Sequence, residues 1–205
     1  MSDDVASLSA NQMDALREIG NVGAGNSATA LSQIINKRID MNVPRVSIVP
    51  LGDVPDLVGG PDVMVVGVFL RVYGKAPSNI LFLLPRDSAF YLVDMLMGKK
   101  HGDTQKLDFM DESALMEIGN ILSGAYLNAL FNFTNISLLP SIPALAMDMA
   151  GAILSVVLIQ LGQMGDHALV IETEFKTDDE GIKGHFFLVP DPGSLETILS
   201  AVGVE

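Results

Sequence analysis

Hydrophobic and polar positions along this chain predict two long amphipathic helices, one near the start of each half. In residues 11–36 and 110–131, apolar side chains recur at the helical period of 3.6 residues. Ser9 is a candidate N-cap for the first helix, and Asp108 or Asp111 for the second, because their side-chain oxygens can accept backbone N–H groups. Each half is therefore expected to open with a helix of about six or seven turns.

Strand-like segments follow each long helix. They are rich in β-branched and aromatic residues and are separated by short turns such as 73–78 and 177–181. The predicted strands are 45–50, 63–73 and 79–84 in the first half, and 144–159, 168–175 and 183–189 in the second. Short helical patterns at 86–97 and 193–202 close the halves. Each half therefore reads α-β-β-β-α, which predicts an α/β chain of the α+β type, with mainly antiparallel strands and segregated helices.

The two halves are copies of one unit. Glu-Ile-Gly-Asn occurs at Glu18 to Asn21 and again at Glu117 to Asn120, an offset of 99 residues. The same offset carries Pro44 onto Pro143 without a gap. We predict one domain over residues 1–205, with repeat halves at about 9–98 and 108–203 and a short linker between them.

Composition narrows the functional classes. The 205 residues carry a net charge of −13 and contain no cysteine, which excludes disulfides and thiolate metal sites and disfavours nucleic-acid or anionic-lipid partners. The polar N-terminus has no signal-peptide pattern, and asparagines and prolines interrupt the uncharged stretch 118–147. We expect a cytoplasmic protein without membrane insertion, whose partner is a protein with a basic patch.

One face of each long helix carries the repeated polar residues. At 100° per residue they fall within a band of about 60°, opposite the leucines and isoleucines, so the stripe should face outward. The stripes are Asp14, Glu18, Asn21 and Gly25 in the first helix, and Ser113, Glu117, Asn120 and Gly124 in the second. A solvated face explains polar residues in general, but it does not explain the recurrence of the same side chains.

Glycine is costly within a helix, by about 1 kcal/mol relative to alanine, so the repeated glycines need a reason. Close packing on the sheet accounts for Gly20 and Gly119. Gly25 and Gly124 lie on the stripe and would leave room for a docked partner.

The sequence lacks the motifs that several classes of enzyme require. The stretch Gly23 to Ala28 matches G-x-G-x-x-A, but no strand precedes it and the second copy does not preserve it. The three histidines, His101, His167 and His185, lie far from both stripes in sequence and form no zinc or triad motif. A hard-cation site at Asp14 and Glu18 stays open, although Ser113 replaces the aspartate in the second copy.

A glutamate and an asparagine three residues apart suit phosphoryl chemistry on a protein substrate. The glutamate can anchor a lysine, and the carboxamide can accept and donate hydrogen bonds while holding a water molecule in line with a phosphorus atom. Phosphoryl transfer depends mainly on positioning, so such a pair could hydrolyse a phosphate whose metal and charges the substrate supplies.

Both motifs, Asp14-x3-Glu18-x2-Asn21-x22-Pro44 and Ser113-x3-Glu117-x2-Asn120-x22-Pro143, resemble the D/S-x3-E-x2-N-x22-P signature of the CheC group of CheY-phosphate phosphatases, relatives of CheX and FliY. The resemblance covers essentially the whole chain. It implies a CheC-like pseudo-two-fold fold with an extended antiparallel sheet and two exposed signature helices.

The resemblance also implies the chemistry and the partners. The substrate would be the phosphoaspartate of CheY, with Glu18 and Glu117 pairing with its lysine and Asn21 and Asn120 orienting the attacking water. The protein would need no cofactor of its own, since the Mg²⁺ would belong to CheY. CheD, a receptor deamidase, would be a second partner at a segment that includes Asp148.

Asp14 and Ser113 support the motif or serve the helix start, and Pro44 and Pro143 should end the approach to a strand. Two alternatives stay open. One is a non-catalytic CheY-binding adaptor of the flagellar switch type, and the other is a metal-dependent hydrolase using the acidic stripe.

Overall fold

The computed structural model describes residues 8–36, 38–161, 167–176 and 181–203, and these ranges contain helices on both faces of one sheet. The elements in chain order are α1 (Ala10–Ile35), β1 (Asp40–Pro50), a 3-10 turn (Leu51–Asp53), α2 (Val54–Leu57), β2 (Met64–Gly74), β3 (Ser78–Pro85), α3 (Arg86–Leu96), α4 (Phe109–Thr134), β4 (Leu138–Pro140), β5 (Ala144–Met149), α5 (Ala150–Leu161), β6 (His167–Lys176), β7 (Gly181–Pro190) and α6 (Ser194–Val202). The predicted turn at 177–181 lies, up to residue 180, outside the described residues.

The two long helices begin and end at equivalent positions of the repeat. Ser9 caps α1 and Asp108 caps α4, each within a reciprocal capping box, so the predicted N-cap at Ser9 is confirmed. Of the two candidates for α4, Asp108 is the cap, and Asp111 is its partner in the box. Both helices end at an asparagine in the left-handed region, Asn36 with φ 53° and Asn135 with φ 55°, a conformation that asparagine tolerates well.

The seven strands form one sheet in the order β1-β6-β7-β3-β2-β4, with β5 also pairing with β2, and every described pairing is antiparallel. The order is symmetric about the contact between β3 and β7. The leading strand of each half pairs with the other half, because β1 lies beside β6 while β4 and β5 lie beside β2. This is the mainly antiparallel, pseudo-two-fold arrangement predicted from the sequence.

Apolar side chains cover both faces of the sheet. Helices α1, α3, α4 and α6 pack on one face, against alternate residues such as Val68, Ile80 and Phe82. The short helix α2 and helix α5 pack on the other, against Leu81 and Leu83 of the same central strand. Since successive strand residues point to opposite faces, β3 is buried on both sides, which its continuous apolar sequence requires.

The strand predicted at 144–159 is wrong beyond residue 149. Strand β5 ends at Met149, and Ala150–Leu161 forms α5. This helix is apolar almost throughout, so it has no polar face from which a helical period could be read. Length was the informative signal, because a sixteen-residue strand exceeds the usual range of about 3–10.

Candidate functional site

The first motif lies on the outward face of α1. Asp14, Glu18 and Asn21 are all exposed, whereas Leu16 and Ile19 on the opposite side are buried. Within the described residues, the side chains of Glu18 and Asn21 make no hydrogen bond or ion pair with another side chain or backbone group. Their polar groups are therefore available to a molecule that approaches from solvent.

The second motif repeats this geometry on α4 with slightly more burial. Glu117 is exposed, while Ser113 and Asn120 are half-buried. Glu117 and Asn120, like their counterparts on α1, have no side-chain partner in the part of the chain that the structure describes. The structure thus presents the two Glu/Asn pairs as similar, but not identical, surfaces.

The equivalent glycines on the inner faces of the two motif helices, Gly20 and Gly119, differ in how closely the sheet approaches them. A Cβ atom at Gly20 would lie 3.5 Å from Val43 Cγ1, and one at Gly119 would lie 2.5 Å from Val68 Cγ1. The close approach buries this side of each helix and leaves the Glu/Asn side facing outward. The sequence-based interpretation as packing residues agrees with the contact at Gly119, whereas a Cβ atom at Gly20 would sit at ordinary van der Waals distance, so packing does not require glycine there.

The other motif glycines have open surroundings. A Cβ atom added at Gly25 or Gly124 would meet no atom within 4 Å. Each lies on the same helix face as its Glu/Asn pair. Packing against the described residues does not require either glycine, which is what a surface kept clear for a partner would show.

The motif prolines occupy different positions. Pro143 directly precedes β5, as predicted for a residue that ends the approach to a strand. Pro44 lies inside β1, which begins at Asp40, so its predicted place before the strand is wrong. The register between β1 and β6 shifts between Asn42 and Arg45. Proline has no N–H to donate, and an irregularity of this kind is where a strand tolerates it.

The linker between the halves holds the first turn of α4 in place. Lys99 Nζ lies 2.7 Å from Asp111 Oδ1 and 3.3 Å from Thr104 Oγ1. The hydrogen bond to Asp111 raises the pKa of Lys99. Asp111 also accepts the Asp108 N–H at 3.2 Å, which completes the capping box.

A buried carboxylate organises the same linker. Asp94 is buried and accepts the N–H groups of Gly102 at 2.7 Å and Thr104 at 3.0 Å. Burial alone would raise its pKa, but hydrogen bonds from Thr104 and Gly102 and the charge of Lys99 outweigh burial, and the net pKa is lowered. Sequence reasoning missed this residue. The available signal was an aspartate within the apolar run Leu92 to Leu96.

Asp148 lies on the exposed strand β5, opposite Val65 of β2, and its Oδ1 accepts the Met149 N–H at 2.7 Å. It borders an apolar groove of about 300 Å³ between β5 and α5. Its exposure fits a charged residue in an otherwise apolar segment, where burial without a partner would be costly. The groove was not predicted from the sequence, because it depends on helix α5.

Among the described residues, no group of three or more histidine, aspartate or glutamate side chains is arranged to hold a metal ion. No helix in the described ranges combines the length and apolarity needed to cross a membrane.

Comparisons with known proteins agree with the fold and the motif. The CheC-like family model matches residues 12–48 and 110–146, which include both motifs. The CheY-P phosphatase CheC of Bacillus subtilis (strain 168) is 41% identical over 196 residues, covering 94% of each chain.

Two solved structures show the same fold. Thermotoga maritima FliY has a TM-score of 0.76 at 18% identity, covering 96% of this chain and 98% of that one. CheX in the CheX-CheY-BeF3-Mg²⁺ complex of Borrelia burgdorferi gives 0.51 at 15% identity, covering 82% and 96%.

Proposed function

This chain belongs to the CheC-like family, and on that premise we propose that it is a phosphatase for the phosphoaspartate of a CheY-type response regulator. The proposal rests chiefly on one observation. Each of the two motif helices presents a glutamate and an asparagine on its outer face, and none of the four side chains is used within the described protein.

The glutamates anchor the regulator. A carboxylate without an internal partner gains most from a cation on a docking protein, and Glu18 and Glu117 each offer one on a helix surface. In the proposed complex, each pairs with the lysine beside the phosphoaspartate of its bound regulator. The contact fixes the position of the helix relative to the phosphorus atom.

The asparagines orient the nucleophile. Asn21 and Asn120 follow the glutamates by three residues and therefore lie one helical turn away on the same face. The carboxamide oxygen accepts a hydrogen bond from a water molecule, and the water oxygen attacks phosphorus in line with the bond to aspartate. The P–O bond to the aspartate then breaks, which regenerates the carboxylate side chain of the regulator and releases inorganic phosphate.

The charge required at the phosphoryl group comes from the substrate. In this proposal Mg²⁺ belongs to the regulator, and the chain contributes positioning without a cofactor of its own. Positioning alone can accelerate such a reaction strongly, because the transition state needs little covalent assistance.

A CheD-type receptor deamidase is the proposed second partner, and it binds a different surface. Asp148 and its neighbours Met147 and Met149 are exposed on β5, and the groove against α5 adds apolar area. Exposed methionines beside a charged residue suit a protein interface. Neither motif helix contributes a residue to this groove.

The test of the phosphatase proposal is phosphate release from a purified, phosphorylated CheY-type regulator with and without this protein. Acceleration supports the proposal. Binding without acceleration would instead support the alternative, a non-catalytic adaptor of the flagellar switch type. Binding of the phosphorylated regulator that a chelator leaves unchanged would argue against a metal-dependent hydrolase, whereas phosphate release itself requires the regulator's own Mg²⁺.

A further inference from the structure

Two large apolar side chains are exposed at the start of α4. Phe109 is 76% exposed and Met110 is 59% exposed. They are the first two residues of the helix, and neither contributes to the buried core. Their exposure stabilises nothing within the described protein.

Both side chains border the second motif. At 100° per residue, Phe109 lies about 40° to one side of Ser113 around the helix axis, and Met110 lies about 60° to the other side. Glu117 and Asn120 fall within the sector between these two apolar residues. Along the helix axis, Phe109 is about 12 Å from Glu117. A standard protein interface of about 800 Å² per partner extends roughly 16 Å from its centre. A protein that docks on Glu117 and Asn120 therefore also covers Phe109 and Met110, the first two residues of the helix, which we call the head of α4.

The first motif has no such apolar pair. The repeat offset of 99 residues places Ala10 and Asn11 at the positions of Phe109 and Met110. Both are exposed at the start of α1. The two sites therefore share their Glu/Asn chemistry but differ in the apolar area that they offer to a partner.

The head of α4 is also held rigidly. Asp108 Oδ1 accepts the N–H groups of Met110 at 2.8 Å and Asp111 at 2.9 Å, and Lys99 ties Asp111 to the linker. A contact surface that is ordered before binding loses less conformational entropy on association. Phenylalanine and methionine presented in this way are well suited to act as anchors.

We propose that Phe109 and Met110 are apolar contacts for the phosphorylated regulator and make the α4 site the tighter-binding of the two. This inference rests on the proposed function, because it assumes that the partner on α4 is the regulator. Continuity with the Glu117 and Asn120 face selects that occupant over a second copy of this chain.

In the test, Asn21→Ala first removes catalysis at the α1 site, so that phosphate release reports the α4 site alone. Phe109→Ala and Met110→Asn together then give α4 the residues found at the equivalent positions of α1. The expected result is an apparent KM for the phosphorylated regulator about tenfold higher, corresponding to about 1.4 kcal/mol, with kcat unchanged because neither side chain reaches the reacting atoms. With Glu18→Lys added so that the α1 site no longer binds, the affinity for the beryllofluoride-loaded regulator should fall by the same factor.

The reciprocal graft controls for damage to α4. In an Asn120→Ala background, Ala10→Phe with Asn11→Met should lower the KM of the α1 site. Circular dichroism and the unfolding midpoint verify the fold of each variant. The inference would be overturned if the Phe109 and Met110 replacement left both the KM and the binding constant for the regulator unchanged. It would also be overturned if the wild-type protein formed a dimer that this replacement dissociated while the affinity for the regulator stayed the same.

Failure of the underlying function gives a different result. If Asn21→Ala with Asn120→Ala releases phosphate as fast as the wild type, the proposed chemistry fails whatever the head of α4 does. If that double variant is inactive but the Phe109 and Met110 replacement has no effect on affinity, only the inference drawn from the head of α4 fails.

Discussion

Gly23 of α1 lies against the ring of Tyr126 of α4, so close that a Cβ atom at residue 23 would come within 2.5 Å of Tyr126 Cδ1. The ring cannot readily move away, because it stacks on Phe186 of β7 with ring centroids 4.3 Å apart. The two motif helices thus meet at a position where only glycine fits without displacement. This contact ties the orientations of the two motifs to one another and to the sheet.

Gly23→Ala should destabilise the protein by up to about 2 kcal/mol, because overpacking costs about 1–3 kcal/mol and the gain in helix propensity offsets about 1 kcal/mol of that cost. Gly25→Ala, two residues away and with no atom within 4 Å of the added Cβ, is the matched control. It should stabilise by up to about 1 kcal/mol. Urea unfolding midpoints measure both effects, and equal shifts for the two variants would show that Tyr126 does not constrain residue 23.

The sequence predicted the motif helices well because their signals are local. Capping residues, helical periodicity and the repeat itself locate α1 and α4 to within a few residues. The pairing of β1 with β6 could not be predicted in this way, since an antiparallel partner more than a hundred residues distant leaves no local pattern. The contact between Gly23 and Tyr126 was missed for the same reason.

The residues of the candidate site were predicted from the sequence, but the burial of their side chains and the groove beside Asp148 were not. The outward position of Glu18 and Asn21 follows from helical geometry, whereas the half-burial of Asn120 depends on its neighbours in space. Asp148 was identified from the family resemblance, and its groove became visible only once Ala150–Leu161 was seen to be a helix. A helix and a strand are distinguished in a sequence by the spacing of polar residues among apolar ones, and an almost uniformly apolar run has no such spacing.

Asp94→Asn should destabilise the protein by about 1–3 kcal/mol at pH 7, because the carboxamide cannot accept both the Gly102 and Thr104 N–H groups. Burial opposes ionisation of Asp94, but the hydrogen bonds outweigh it and hold the folded pKa below the ordinary value of 3.8. The stability that this carboxylate contributes is therefore complete above that value and is lost as the pH falls through the lower folded pKa.

The difference in unfolding free energy between wild type and Asp94→Asn should accordingly shrink as the pH falls from 7 towards about 2. Asp103→Asn is the control in the same linker, since Asp103 is exposed and, among the described residues, accepts only the Lys100 N–H at 3.0 Å. A gap for Asp94→Asn that is constant across this pH range would show that its ionisation does not stabilise the linker.

Replacing Glu18 and Glu117 together by lysine should weaken regulator binding far more than replacing both by glutamine, because lysine adds repulsion to the loss of the ion pair. Raised salt should weaken wild-type binding as well. Titration against the beryllofluoride-loaded regulator measures each affinity. Asp56→Lys, an exposed change on α2 at the opposite face of the sheet, controls for net charge. Equal effects of lysine and glutamine would place the glutamates outside the contact.

Asp148→Lys should abolish binding of a CheD-type deamidase and leave phosphate release intact, since β5 and the motif helices are separate surfaces. A pull-down with purified deamidase, paired with the release assay, measures both properties. Asp87→Lys on α3 provides a charge reversal at another exposed position. Normal deamidase capture by a correctly folded Asp148→Lys variant would remove this residue from the interface.

Phosphate release from a phosphorylated CheY-type regulator, measured for Asn21→Ala, Asn120→Ala and the double variant, tests the central claim most directly. Each single variant should keep partial activity because the other helix retains its own Glu/Asn pair. The double variant should lose nearly all acceleration while its unfolding midpoint stays close to that of the wild type, since neither side chain bonds within the described protein. Full acceleration by the folded double variant would contradict the assignment of these asparagines to catalysis.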